Sequence, residues 1–382
     1  MRLDEQQAQW IAIETSDSVE ELKKRVDMFL EQRGEYIDVL HKRDGILKLS
    51  LEEKLQRAQG RLRNIQWEGV TFANPILIAS SPLTQSYETI QQYLDQGAAG
   101  IVLKSAGDFK VMCKCAREKQ ESGCQLRMAV PLIGTSGRIV FSTSARSRHC
   151  ERITLEETQI LYDKIKQHYP SAVVIANFGP ESEEDFAKLD QLPGDIIEIT
   201  PRYFRKSYEK PIAESWWTDT SICPQDDQLT PNREKFMEYQ KRVFDILQRQ
   251  LPRIKRPVLY KIVGFDELEV PSGVRQEDLP VKGFTVRDSE KRWHMYSKDG
   301  FGINEQCKGA WSGDCLFINN INYMVGMRQR HPDNFFSWSG GIFNAHGALS
   351  AILYGAQTVQ LCSAIYHSGP SVVGKIVKTL GN

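Results

Sequence analysis

From Trp67 onward the chain returns again and again to one pattern, a short apolar run followed by an amphipathic stretch. The runs are "PILIAS", "GIVLKS", "AVVIANF", "DIIEIT", "PVLYKIV", "CLFINNI", "FFSWSGGI" and "TVQLCSA". Between several of them lie segments of helical period, such as "YETIQQYLDQG", "TLEETQILYDKIKQHY" and "HGALSAILYG". Continuously apolar runs this short suit strands buried on both faces, which means a parallel sheet covered by helices. Eight of them favour an α/β fold of the closed (β/α)8 TIM barrel type over an open, doubly wound sheet. The rhythm breaks between Val263 and Cys315. There "KGFTVRDSEKRWHMYSKDGFG" alternates like a hairpin and is too polar for a barrel strand, so an inserted excursion is expected near 264–314.

Residues 1–64 form a separate helical extension before a barrel domain at 65–382. "SVEELKKRVDMFLEQRG" opens on a capping box, Ser18 with Glu21, and stops at Gly34. Ser50 with Glu53 opens a second helix, in which Leu51, Leu55, Ala58 and Leu62 repeat on one side. Such helices pack on the main domain or on a partner subunit rather than on a membrane surface.

Charge lends no support to one function class, although it leaves room for a local basic patch. Lys plus Arg equals Asp plus Glu at 49 each, so the chain lacks the basic excess of a nucleic-acid binder. No window reaches the apolar length of a membrane span, and "MRLDEQQAQW" lacks the apolar core of a secretory signal. The eight cysteines are scattered, which suits a reducing cytoplasm. Cys113, Cys115 and Cys124 share one loop, but no fourth ligand lies near and their spacing matches no common metal pattern. They read as free thiols, and no metal is expected.

In a barrel of this kind function collects at the carboxyl ends of the strands. The residues there are Ala79-Ser80-Ser81, Lys104-Ser105, Asn177, Glu198 and Thr200, Lys261, Asn319-Asn320 with Asn322, Gly340-Gly341, and Cys362-Ser363. A lysine at the end of a barrel strand needs a polar or charged partner, and an acceptor-rich ligand would supply one. Gly340 and Gly341 would let the backbone approach that ligand, with amides of the following helix start facing a phosphate. Ser363, after the eighth run, would add a hydroxyl and an amide.

These segments resemble the FMN-dependent dihydroorotate dehydrogenase superfamily, which includes the FMN barrel of dihydropyrimidine dehydrogenase. "FANPILIASSPLT", "GAAGIVLKSA", "RPVLYKI", "INNINYM" and "SGGIFNAHGALSAILYGAQTVQLCSAIYHSGPSVVGKI" carry the likeness, spread over the barrel. The resemblance implies one FMN at the carboxyl face, touched by Ala79, Ser80, Lys104, Asn177, Lys261, Asn319, Gly340, Gly341, Cys362 and Ser363. Lys261 would lie beside flavin N1 and O2, where a cation stabilises the charge gained on reduction. Asn320, Asn322, Glu198 and Arg202 would face the substrate.

The departures from the family pattern lie at the base loop. The family carries Asn-x-Ser-Cys/Ser-Pro-Asn there, with Cys or Ser as general base, whereas this chain reads "DIIEITPRYFRKS". Glu198 replaces the asparagine, and Thr200-Pro201-Arg202 occupies the place of base, proline and asparagine. Two candidates for the base stay open, beside a base elsewhere in the chain or none at all. One is the Thr200 hydroxyl; the other is Cys223 in "SICPQDDQL", displaced by an insertion near 203–222 and needing a neighbouring cation to become a thiolate. Trp216 and Trp217 on that insertion either wall a planar substrate or pack as ordinary loop residues. Arg146, Arg148 and His149 suit an anionic substrate or a solvated surface.

The expected activity is transfer of a hydride between a C–C bond of a small cyclic, dihydropyrimidine-like substrate and flavin N5. A modified nucleobase or specialised metabolite is an alternative substrate, and an FMN-binding regulatory or assembly protein without turnover is the alternative from another class. With no Gly-x-Gly-x-x-Gly fingerprint for NAD, the expectation extends to a separate redox partner, with room for a homodimer.

Overall fold

The computed structural model describes residues 45–107, 127–133, 139–145, 153–180, 182–200, 241, 244–262, 278–286, 290–291, 310–311 and 315–381; the side chains of 127–152, 290–315, 318, 319 and 322 lie outside that description. The first capping box and the helix expected after it, Cys113, Cys115 and Cys124, Arg146, Arg148 and His149, and the whole of 201–240 also lie outside it.

Eight parallel strands close on themselves. They are β1 (Ile76–Ile78), β2 (Gly100–Val102), β3 (Val173–Phe178), β4 (Ile196–Ile199), β5 (Val258–Lys261), β6 (Gly283–Val286), β7 (Phe335–Ser339) and β8 (Thr358–Leu361). Each pairs with the next in sequence, and β8 pairs back onto β1 through Val359↔Ile76 and Leu361↔Ile78. This is a (β/α)8 barrel. Every residue of these strands is buried, which accounts for the unbroken apolar runs in the sequence. The described helices are α1 (Leu51–Ala58), α2 (Tyr87–Asp95), α3 (Leu155–His168), α4 (Cys315–Arg330), α5 (Ala345–Leu353), α6 (Ser363–Ser368) and α7 (Ser371–Thr379), together with residues 244–250. Among the described residues no helix is long and apolar enough to cross a membrane.

Two expectations are corrected here, and one error caused both. "KGFTV" is not part of a hairpin excursion: Gly283–Val286 is the sixth barrel strand, between β5 and β7. Its alternation arises because Phe284 and Val286 pack outward under the helices while Thr285 faces a polar interior. "CLFINNINYM", read as the sixth strand, instead opens α4. Phe317, Ile321, Met324 and Met327 are buried at helical spacing, a period that a window of a few residues cannot show. Asn319, Asn320 and Asn322 therefore lie on a helix, not at a strand end.

The lower end of the barrel is sealed. A hairpin, Ile65–Trp67 with Val70–Phe72, crosses it antiparallel. Trp67 stacks on Phe335 at 4.6 Å between ring centroids, and Phe72 stacks on the same ring at 5.7 Å. Gly283 starts β6 beneath this hairpin, where a Cβ would come within 2.5 Å of the Trp67 ring. Any larger residue there would push the seal away from the strand.

The second capping box forms as expected: Glu53 N–H donates to Ser50 Oγ at 3.2 Å, and Ser50 N–H to the Glu53 carboxylate at 2.7 Å. The helix it opens, α1, lies against α5 with Lys54 fully buried between them. The Lys54 ammonium donates to Ser350 Oγ at 2.6 Å and lies 2.8 Å from His346 Nδ1. His346 Nε2 lies 3.2 Å from the Leu49 carbonyl, which makes Nε2 the protonated nitrogen and Nδ1 the acceptor.

Candidate active site at the carboxyl end of the barrel

Alternate residues of each strand point into the barrel, so a step of two residues climbs from one interior layer to the next. Ile175, Ile196, Leu259 and Phe335 belong to a compact apolar cluster at the bottom. Two residues further along the same strands stand Asn177, Glu198, Lys261 and Ser337, and the polar layer is completed by Thr285 of β6 and Gln360 of β8. All six are at most 3% exposed.

Glu198 is the hub of this layer. One carboxylate oxygen accepts from Asn177 Nδ2 at 2.7 Å and faces Lys261 Nζ at 3.5 Å. The other accepts from Thr285 Oγ1 at 2.6 Å and from Gln360 Nε2 at 3.1 Å. This buried carboxylate receives four side-chain donors, one of them a cation, and both of its oxygens are engaged. Lys261 thus has its charged partner inside the protein, and the ion pair closes a demand that the sequence alone assigned to a ligand. Gln360 Nε2 also lies 3.1 Å from Ser337 Oγ, while Gln360 Oε1 has no hydrogen-bond partner among the described residues.

The other expected residues surround this hub. Asn177 Oδ1 accepts from Ser105 at 2.6 Å, and its Nδ2 donates to Thr200 Oγ1 at 2.9 Å, just past β4. That contact brings Thr200 an amide donor, which cannot take its proton, so it offers no activation of Thr200 as a base. Ala79 continues β1 by donating its N–H to the Leu361 carbonyl at 2.9 Å; Ser80 and Lys104, past β1 and β2, are partly exposed. Asn320 is fully buried and donates to the Ser339 carbonyl at 3.0 Å, tying α4 to the end of β7. The side chains of Asn319 and Asn322 lie outside the described residues, as do Cys223, Arg202, Trp216 and Trp217.

Gly340 and Gly341 both take φ +82, a left-handed conformation that glycine adopts without strain. The close approach at Gly341, expected to serve a ligand, is made by protein: a Cβ there would lie 2.5 Å from Phe317 N, at the start of α4. Past this turn the Asn344 side chain caps α5, accepting from Gly347 N–H at 2.9 Å. Cys362 precedes α6 without a side-chain cap, and Ser363 begins that helix. Tyr93, buried, has its phenol pushed up to about 12 by burial first and by the nearness of Cys362 second.

Thr285, Ser337 and Gln360 were missed by a search of strand ends. Part of their signal is present in the sequence all the same: Thr285 is the polar residue of β6, and Ser337 and Gln360 interrupt the apolar residues of β7 and β8, beside Ser339 and Thr358. Among the described residues no cluster of three His, Cys, Asp or Glu could hold a metal ion.

No protein-family model matches the chain. Over 335 residues it is 26% identical to the NAD-dependent dihydropyrimidine dehydrogenase subunit PreA of Escherichia coli K12, covering 84% of this chain and 72% of that protein. It is 34% identical over 131 residues to the dihydroorotate dehydrogenase (quinone) of Rhizobium etli, covering 33% of this chain and 35% of that enzyme. The Rhizobium johnstonii dihydroorotate dehydrogenase (quinone) is 37% identical over 87 residues, 22% of this chain and 24% of its own length. The aligned part thus spans about a third or less of these quinone-type relatives. By name, all three relatives are dehydrogenases. With the closed eight-stranded barrel, this long likeness to one kind of dehydrogenase and local likeness to another support a divergent relationship to the dihydroorotate dehydrogenase superfamily.

Proposed function

We propose that the chain is an FMN-dependent oxidoreductase that acts on a C–C bond of a small cyclic, dihydropyrimidine-like substrate at the carboxyl end of the barrel. The observation that carries the reading is Lys261, buried at the end of β5 and fixed by Glu198 in a layer of side-chain donors. The residues present suit a flavin. Lys261 would supply the cation for the edge that becomes negative on reduction, and Gln360 Oε1 is a buried acceptor free for a ring N–H. Gly340-Gly341, Asn344 and Ser363 would serve the phosphate end. When bound, FMN supplies hydride acceptance and donation.

The protein's own share is binding, orientation and exclusion of water. Asn177 orients Thr200 and Glu198 together, while Glu198 holds Lys261 in place and offsets much of its charge. Cys223 is proposed as the acid/base group, with Thr200 as its rival; Arg202 and Asn322 are proposed to meet the substrate. The PreA relative is named as a subunit, which supports a separate redox partner for this chain as well.

The carboxylate of Glu198 also favours a second reading, a substrate other than a dihydropyrimidine. That carboxylate stands where the family has an asparagine and is taken up by four protein donors, so the amide contact that the asparagine would offer a substrate is missing here.

The test is direct. The purified protein should be yellow and release FMN on denaturation, and anaerobic addition of the right cyclic substrate should bleach it. A colourless preparation that takes up no added FMN would overturn the proposal.

A further inference from the structure

We propose that the sealed end of the barrel carries a second binding site, for a small phosphate-bearing anion, on the face opposite the candidate active site. A cavity of about 620 Å³ lies there, lined by the turn before the hairpin, the end of α4 and the turn between α5 and β8. Its volume falls in the range of small-molecule pockets. Arg61, Arg63 and Arg328 line it, and no Asp or Glu does. For a chain whose formal charge is zero, that is a marked local excess of positive charge.

The three guanidinium groups are held by different means. Arg61 and Arg63 flank Leu62, which is buried and pins the turn that follows α1, so both arginines are displayed from an anchored segment. Neither has an ion-pair partner among the described residues. Arg328 is fixed more firmly. Its Nη1 donates to the Asn334 carbonyl at 2.8 Å, and its guanidinium lies over the Phe336 ring at 5.6 Å. Its stem runs past Gly355, where φ is +118 and a Cβ would come within 3.1 Å of Arg328 Cγ. Gly355 thus leaves room for this side chain.

The group is electrostatically incomplete. Burial pushes the Arg328 pKa down, the charge of Arg61 pushes it further the same way, and exposed Asp333 opposes them. Two guanidinium groups close enough to disfavour one another gain from an anion placed between them. Planar forks with parallel N–H donors match phosphate oxygens two at a time. The cavity is bounded rather than an extended basic stripe, which points to a small phosphorylated molecule and away from nucleic acid.

This site shares no residue with the polar layer, so it stands or falls separately from the proposed function. Calorimetric titration of the full chain with inorganic pyrophosphate should give one site per chain, weaker as salt rises toward about 0.15 M. Arg61→Gln with Arg63→Gln, at exposed positions, should weaken binding roughly tenfold or more without changing the unfolding temperature. Arg328→Lys, which keeps the charge and loses the fork, should weaken it as well. FMN uptake by the double variant should match the parent. Absence of pyrophosphate binding, or equal binding by the double variant, overturns the proposal. Citrate binding as tightly as pyrophosphate overturns the phosphate assignment, and loss of FMN uptake in the double variant overturns the separation of the two sites.

Discussion

The lower and upper layers of the barrel interior are built on the same strands, two residues apart, and they obey opposite rules. Below, Ile175, Ile196, Leu259 and Phe335 fill space with hydrocarbon under the stacked rings of Trp67 and Phe72. Above, Asn177, Glu198, Lys261, Thr285 and Gln360 fill the same cross-section with one connected network of hydrogen bonds. The lower layer stabilises by removing apolar surface from water, which is tolerant of direction. The upper layer is stable only when every donor meets an acceptor, because an unmatched buried charge costs far more than the pair gains. One layer holds the fold and the other spends stability on a fixed arrangement of polar groups, as a binding site requires.

Breaking the upper layer at its cation should have the largest effect. Lys261→Met leaves Glu198 buried without its cation and should cost about 3–5 kcal/mol in urea unfolding. Adding Glu198→Gln to that variant should recover part of the loss; a loss below about 1 kcal/mol in the single variant would mean that the ion pair is not what holds the layer. In the lower layer Phe335→Ala should cost about 3–4 kcal/mol through the cavity left between Trp67 and Phe72, with FMN uptake retained. If uptake vanishes while the fold persists, the two layers are not independent.

Lys54 offers a polar contact of the opposite kind, a buried cation with no carboxylate partner among the described residues. Burial pushes its amine down to about 8 from an ordinary 10.5. Between those values the unfolded chain binds more protons than the folded one, so stability should rise as pH climbs from 8 to 10.5. Below that window the cost of the buried charge is fully present. The gain should be on the order of 3 kcal/mol, read from urea midpoints at several pH values. Lys54→Met should flatten the rise, and an equally steep profile in that variant would clear Lys54 of responsibility. His346 is pushed below its usual value by burial first and by Lys54 second, so protonating it in acid should loosen the same contact. The smallest effect sharpens the upper layer: Thr285→Val removes one hydrogen bond to a charged acceptor and should cost about 1.5 kcal/mol.

Much of this architecture was legible in the sequence, where continuous apolar runs mark strands buried on both faces. The lapse at β6 has a physical origin in the upper layer itself. Thr285 faces a polar interior, so "GFTV" carries the alternation of a half-solvated hairpin although all four residues are buried. α4 was misread for the converse reason: Leu316, Phe317 and Ile321 crowd together in sequence, and the helical period emerges only with Met324 and Met327. At the site, Lys261 and Glu198 were each visible as anomalies in strands. Their pairing was not, because it depends on which strands become neighbours and on which face each residue takes. The paired glycines were visible too, but sequence could not show that Gly341 makes room for Phe317.

The stacked hairpin under β6 and β7 gives the barrel the character of a well rather than a tunnel. Trp67 and Phe72 lie across Phe335 and, among the described residues, close the polar layer from below. For the ligands proposed above, traffic through the carboxyl mouth would then be last in, first out: a molecule resting on Lys261 could not leave while another lay above it. Order of release would be a matter of depth, the deeper occupant exchanging only in the intervals when the upper place is vacant.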